Sequence, residues 1–293
     1  MPLPTDLEII DKAQQEASDL GSPRCAFIEK ALSLAGLAYA DAGTRDQYVA
    51  EVFLEGIFEK NTDGTYKASQ SQIAAAYQMA AAMSACGIVT AQIWNYAGVA
   101  APYLKKFYAE PSRMGSAVGA EFKFATSVGA WVSGMPWRRG TPFPVAGDAL
   151  IIGNNTSEMA RGDSGNYQHE MTCIAWVEGP QGALMASLDG GQPGIALRTR
   201  GLVEVFPDGG DEGELWCSKV APDGSLPITS DGRPASGRRV VGYTDVSKLP
   251  FRDGSPPSCK GGPGWKRLAL AALGVVALGA AAVQVAPWVA RRI

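Results

Sequence analysis

Along the first hundred residues, apolar positions recur every three to four residues, the spacing of helices that bury one face. Residues 5–19 predict a helix capped by Thr5 or Asp6 and ended near Gly21-Ser22-Pro23. Residues 26–40 predict a second, on the stripe Phe27, Ile28, Ala31, Leu32, Ala35 and Ala38, with Leu34 and Leu37 adding another apolar side. Residues 45–60 follow with Tyr48, Val49, Val52, Phe53 and Ile57 on one side, and residues 70–83 form an Ala-rich fourth helix. The apolar run then resumes at Cys86 after small residues and continues to Tyr96, closed by Gly98. Residues 103–108 continue the helical pattern. Residues 115–131 alternate small and aromatic side chains, so 101–140 read as an insertion with no assigned structure.

From Pro144 the pattern changes. Gly, Asp and Pro punctuate short apolar runs, the mark of strands and turns. Strands are expected at 149–152, 171–177, 183–188, 195–199, 203–206, 215–220 and 239–243. Helices first and an antiparallel series of strands afterwards give an α+β class rather than an alternating βαβ one. Residues 251–264 are a Pro/Gly linker. Residues 268–290 carry no charge and are long enough to cross the ~30 Å hydrocarbon core of a bilayer. Trp265 and Trp288 lie near the two ends of that stretch, with Lys266 and Arg267 before it and Arg291 and Arg292 after it. A C-terminal transmembrane helix over 265–293 is therefore expected, against the alternative of a buried Ala-rich helix. The N-terminus lacks the basic-then-apolar order of a secretory signal.

Composition narrows the functional classes. The chain has 26 basic and 29 acidic residues. All four charges from Lys266 onward are basic, leaving a balance of −7 over residues 1–264, which argues against a nucleic-acid binder. The five cysteines Cys25, Cys86, Cys173, Cys217 and Cys259 are widely spaced, and His169 is the single histidine. No zinc quartet of the finger type can be assembled, and no metal or cofactor is expected. The odd count reads as reduced thiols, with one disulfide pair left open.

Cys86 begins a predicted helix, where unpaired N–H groups and the positive end of the dipole favour a thiolate. If that thiolate needs an imidazole, His169 is its candidate partner, immediately before the apolar strand 171–177. Strand 183–188 runs into Asp189-Gly190-Gly191-Gln192, so an antiparallel pairing would bring Asp189 to the His169 ring. The plain alternatives are a small buried cysteine at 86 and an ordinary turn aspartate at 189. Asp148 reads as a turn or strand-start residue. Cys25, Cys173, Cys217 and Cys259 read as structural or incidental, with Cys173 directed into a core. Tyr77 and Gln78 are possible oxyanion-hole contributors that read more simply as helix core or surface.

At these residues the chain resembles a known group. A cysteine at a helix start, the run Pro144-Val145-Ala146-Gly147-Asp148 before a strand, and a histidine at a strand head are similar to the NlpC/P60 and CHAP cysteine peptidases and amidases of bacterial cell walls. The resemblance covers about residues 70–248. It implies a papain-like fold with helices packed on an antiparallel sheet, a catalytic set Cys86, His169 and Asp189, and hydrolysis of amide bonds in peptidoglycan stem peptides. It divides the chain into an N-terminal helical region (1–67), a hydrolase domain (68–250), the linker and the anchor. The chain departs from the family in having Ala85-Cys86-Gly87 where Asp-Cys-Ser-Gly is usual, Glu170 after the histidine, and a longer interval from Cys86 to Gly147. With no signal and an expected anchor, the enzyme reading brings a specialised route to the periplasm, as for a delivered antibacterial effector or a phage lysin, with an immunity or delivery protein as a possible partner. The competing readings are a non-catalytic, membrane-anchored interaction protein on the same scaffold, or a Cys/His hydrolase of another amide or ester.

Overall fold

The computed structural model describes residues 2–101, 117–153, 167–191 and 194–255. Helix α1 spans Asp6–Leu20 and is closed at its start by a reciprocal capping box: Glu8 N–H donates to Thr5 Oγ1, and Thr5 N–H donates to the Glu8 carboxylate at 2.7 Å. Helix α2 (Arg24–Leu34) is buried on most sides. Helix α3 (Arg45–Tyr48) continues as one π-helical stretch, Val49–Leu54. Helix α4 (Gln70–Ala82) has its own Ser69/Gln72 capping box, and α5 runs Cys86–Tyr96. Residues 117–127, expected as unassigned insertion, form α6 (Ala117–Ser127).

The strands are β1 (Trp131–Ser133), β2 (Trp137–Arg138), β3 (Ala149–Gly153), β4 (Tyr167–Gly179), β5 (Gly182–Gly190), β6 (Ile195–Val205), β7 (Glu212–Lys219) and β8 (Arg238–Thr244). β1 and β2 fall in the stretch left unassigned from sequence, and the two short strands expected at 195–199 and 203–206 are one. All pairings are antiparallel. β8 bonds to β3 on one side and to β7 on the other, so β3 to β8 close into a six-stranded barrel.

That closure corrects the papain-like expectation. Helices do pack on antiparallel strands, but the sheet is a closed barrel with its own interior. Alternation along each strand divides the apolar residues between the two sides of the wall. Leu150, Ile152, Met171, Cys173, Met185, Leu215, Cys217, Val240 and Tyr243 fill the inside. Ala149, Ile174, Ala186, Leu188 and Leu197 face out and join a larger core with Phe27, Phe53, Ile88, Ile93 and Trp94 of the helices. The expected transmembrane helix is corrected as well: among the described residues no helix is long and apolar enough to cross a membrane. The stretch 268–290 on which that expectation rests lies outside the described residues.

The Pro144–Asp148 run is a latch between helix and barrel. Gly147, at φ 96°, takes a left-handed conformation that a side chain would strain. Asp148 accepts from the N–H groups of Val145 (2.9 Å) and Val246 (3.1 Å) and from Arg24 Nη1 (2.6 Å). Arg24 Nη2 reaches Asp245 at 2.8 Å, tying the start of α2 to the segment after β8. Burial pushes the Asp148 carboxyl up to about 6 despite Arg24 and these amides. Cys25, expected as a thiol, is disulfide-bonded, whereas Cys86, Cys173 and Cys217 are free. Cys259 lies outside the described residues.

Candidate functional site

Cys86 is the first residue of α5, and the α5 hydrogen-bond ladder opens with Val89 N–H donating to Ala85 C=O at 2.8 Å. The start of the helix fits against the barrel because two neighbouring positions are glycine. A Cβ on Gly190, at the end of β5, would lie 3.0 Å from Ala85 O and 2.8 Å from Val89 Cγ2. A Cβ on Gly87 would lie 2.7 Å from Ala117 Cβ, so α6 also approaches closely here.

Strand pairing brings the other two groups together. Met171 of β4 lies opposite Asp189 of β5, and His169 lies two residues before Met171 on the same side of the strand. His169 Nε2 is 3.4 Å from Asp189 Oδ2. The Cys86 sulfur lies beside the His169 ring, close enough for each to act on the other's charge. The three residues expected to converge therefore do so, with Cys86 and His169 partly exposed and Asp189 buried.

Two further side chains hold the aspartate. Ser187, two residues back on β5, donates to Oδ1 at 2.7 Å, and Arg200 of β6, 8% exposed, donates to Oδ2 through Nη2. Ser187 was open to discovery by strand alternation, since residues 187 and 189 must share a face. Arg200 was not, because its approach depends on the β5–β6 register that sets it opposite Met185.

Electrostatics favour an ion pair. At Cys86 burial opposes the thiolate, but the bond and charge of His169, the backbone N–H of Glu170 and the Ser84 hydroxyl outweigh it and bring the thiol down to about 7. At His169 burial opposes the charged ring, and bonding to Asp189 and Cys86 overcomes it and raises the ring to about 9. Burial also opposes the Asp189 anion, yet His169, Arg200 and Ser187 hold it down at about 2. Between about 7 and 9 the group is therefore a thiolate, an imidazolium and a carboxylate in line. The cysteines inside the barrel behave oppositely: burial pushes Cys217 up to about 12 and Cys173 up as well. Of the three free thiols among the described residues, Cys86 alone is shifted toward the thiolate.

Tyr77 donates to Asp46 at 2.7 Å and is spent on that surface contact. A groove of about 530 Å³ between residues 2–4, α1 and the β4–β5 hairpin shares no lining residue with the Cys86 group. The convergence of a nucleophile, base and orienter makes the Cys86 group the better candidate. Among the described residues no cluster of three or more His, Cys, Asp or Glu side chains has the arrangement to hold a metal ion. Comparison with family models, curated proteins and solved structures gives no significant match.

Proposed function

We propose that this protein is a cysteine hydrolase of amide bonds, with peptidoglycan stem peptides as the substrate to which the NlpC/P60 and CHAP resemblance points. The observation that carries the reading is the line Cys86–His169–Asp189, with Arg200 and Ser187 behind the aspartate. The reading stands on this geometry and does not depend on a papain-like fold.

In the proposed cycle the Cys86 thiolate adds to the amide carbonyl carbon. Backbone N–H groups of the first turn of α5, which have no intrahelical acceptor, receive the oxyanion. The His169 imidazolium gives its proton to the leaving nitrogen as the C–N bond breaks, leaving a thioester on Cys86 and a neutral ring. The ring then takes a proton from water, hydroxide adds to the thioester, and collapse releases the carboxylic acid and restores the thiolate–imidazolium pair. Asp189 keeps the ring oriented and its charge compensated throughout.

The test is Cys86→Ala on purified peptidoglycan, with released stem-peptide fragments followed by mass spectrometry. Cleavage by the wild-type chain and none by the variant, at equal thermal stability, is the expected result. Equal cleavage by both, or none by either, would overturn the proposal.

A further inference from the structure

Behind the nucleophile lies a second constellation that the proposed cycle does not use. Glu121 of α6 and Glu170 of β4 are 0% and 1% exposed. Glu170 follows His169 in the chain, and its backbone N–H favours the Cys86 thiolate. Its side chain leaves the opposite face of β4 from His169, toward α6. Among the described residues none of the four carboxyl oxygens has a hydrogen-bond partner, nor do the buried hydroxyls of Thr90 on α5 and Thr172 on β4. Each carboxyl has the other as its polar neighbour. Two buried carboxyls side by side, with no donor to either, are held there without two unpaired charges only if at least one of them carries a proton.

The charged surroundings are simple. From α5 the pair faces Cys86, and from β4 Glu170 also faces His169; among the described residues no Lys or Arg acts on either carboxyl. We propose that Glu121 and Glu170 are positioning residues that share a proton as a carboxyl pair, holding it while Cys86 is a thiolate and releasing it more readily once the sulfur is uncharged. Burial and the Cys86 charge push Glu121 well up. Burial and the same charge push Glu170 up, against the opposing pull of Glu121 and His169. At Glu170 the thiolate outweighs the imidazolium, and at Glu121 it acts without it, so neutralising the sulfur lowers the proton affinity of both. The pair keeps negative charge away from the resting thiolate. In the thioester state it supplies negative charge behind His169, which makes the ring a stronger base toward water. The inference deepens the hydrolase reading and rests on it for this last consequence.

Infrared spectroscopy of the full chain tests it. The C=O stretch of protonated carboxyl groups is recorded as pH rises, before and after iodoacetamide has alkylated Cys86, a reaction in which the thiolate displaces iodide. Carbon-13-labelled glutamate assigns the band in the wild-type chain, and its loss in Glu121→Gln/Glu170→Gln gives a second assignment where that variant folds. The expected result is a protonated glutamate band at neutral pH whose midpoint of loss falls by about one pH unit on alkylation, a tenfold loss of proton affinity. No such band at neutral pH, or a midpoint that stays or rises, would overturn the proposal. Because alkylation reads the sulfur alone, a shifted midpoint without peptidoglycan cleavage leaves the pair standing and removes the hydrolase, while cleavage with an unmoved band does the reverse.

Discussion

Replacing Asp189 with asparagine removes charge and keeps shape. Asp189 supplies the largest of the interactions that raise the His169 ring, and the ring stands at about 9 against an ordinary 6.5. Losing about one unit of that elevation is worth about 1.4 kcal/mol of the imidazolium state. The thiol titrates at about 7 beside a ring that still carries its proton, so its own titration stays in place, and the upper limit of the ion pair, where the ring loses its proton, falls by about one unit from about 9. The assay is the rate of Cys86 alkylation by iodoacetamide across pH, with Cys86→Ala as the background for the other thiols. The lower inflection of the rate, the thiol's own, should stay within a few tenths of a unit, whereas the upper inflection, where the ring loses its proton, should fall by about one unit. The variant also leaves Arg200 buried without its anion, which costs about 3–5 kcal/mol in comparable cases. Asp189→Asn/Arg200→Gln should recover much of that stability while keeping the displaced titration. An unchanged pH profile in Asp189→Asn would refute the assignment of Asp189 as the group that sustains the imidazolium. A uniform loss at every pH would indicate that the ring had moved, which would refute the electrostatic argument too.

Gly190→Ala should push the start of α5 off the barrel, at about 1–3 kcal/mol by chemical denaturation, and slow Cys86 alkylation at neutral pH, because its Cβ would meet Ala85 and Val89. Arg24→Met should cost about 3–5 kcal/mol by urea denaturation, since it strips the buried Asp148 of its cation. The sign of its pH dependence follows from Asp148: a carboxyl raised on folding contributes stability below its unfolded value that is lost as pH rises through the folded one. Without Arg24 that folded value climbs above about 6, so the deficit of the variant should be larger at about pH 8 than at about pH 5, and a deficit independent of pH would contradict the latch.

Local patterns made much of this protein legible. The apolar spacing around Phe27, Phe53 and Ile93 marked helices whose faces are buried, and the change of texture after Pro144 marked the strands. Cys86 at a helix start and His169 at a strand head were visible because each depends on a few neighbouring residues and on there being one histidine. Asp189 was reachable because adjacent antiparallel strands bring their ends together. The helix carrying Glu121 was not read, because Ala117, Gly119, Glu121 and Ala125 are small or polar and are buried by close approach to neighbours rather than by an apolar stripe.

The sequence by itself therefore determined most of the helical and strand segments and pointed to Cys86, His169 and Asp189, which the fold brings near one another. Only the tertiary structure decided that the strands close into a barrel, because closure rests on β8 pairing with β7 and also, across nearly a hundred residues of chain, with β3. It also decided that Arg200 anchors Asp189 and that Glu170 is buried against Glu121. These contacts follow from register and from the crossing of α6 over β4, and electrostatics at a buried site follows distance in space, which spacing along the chain does not encode.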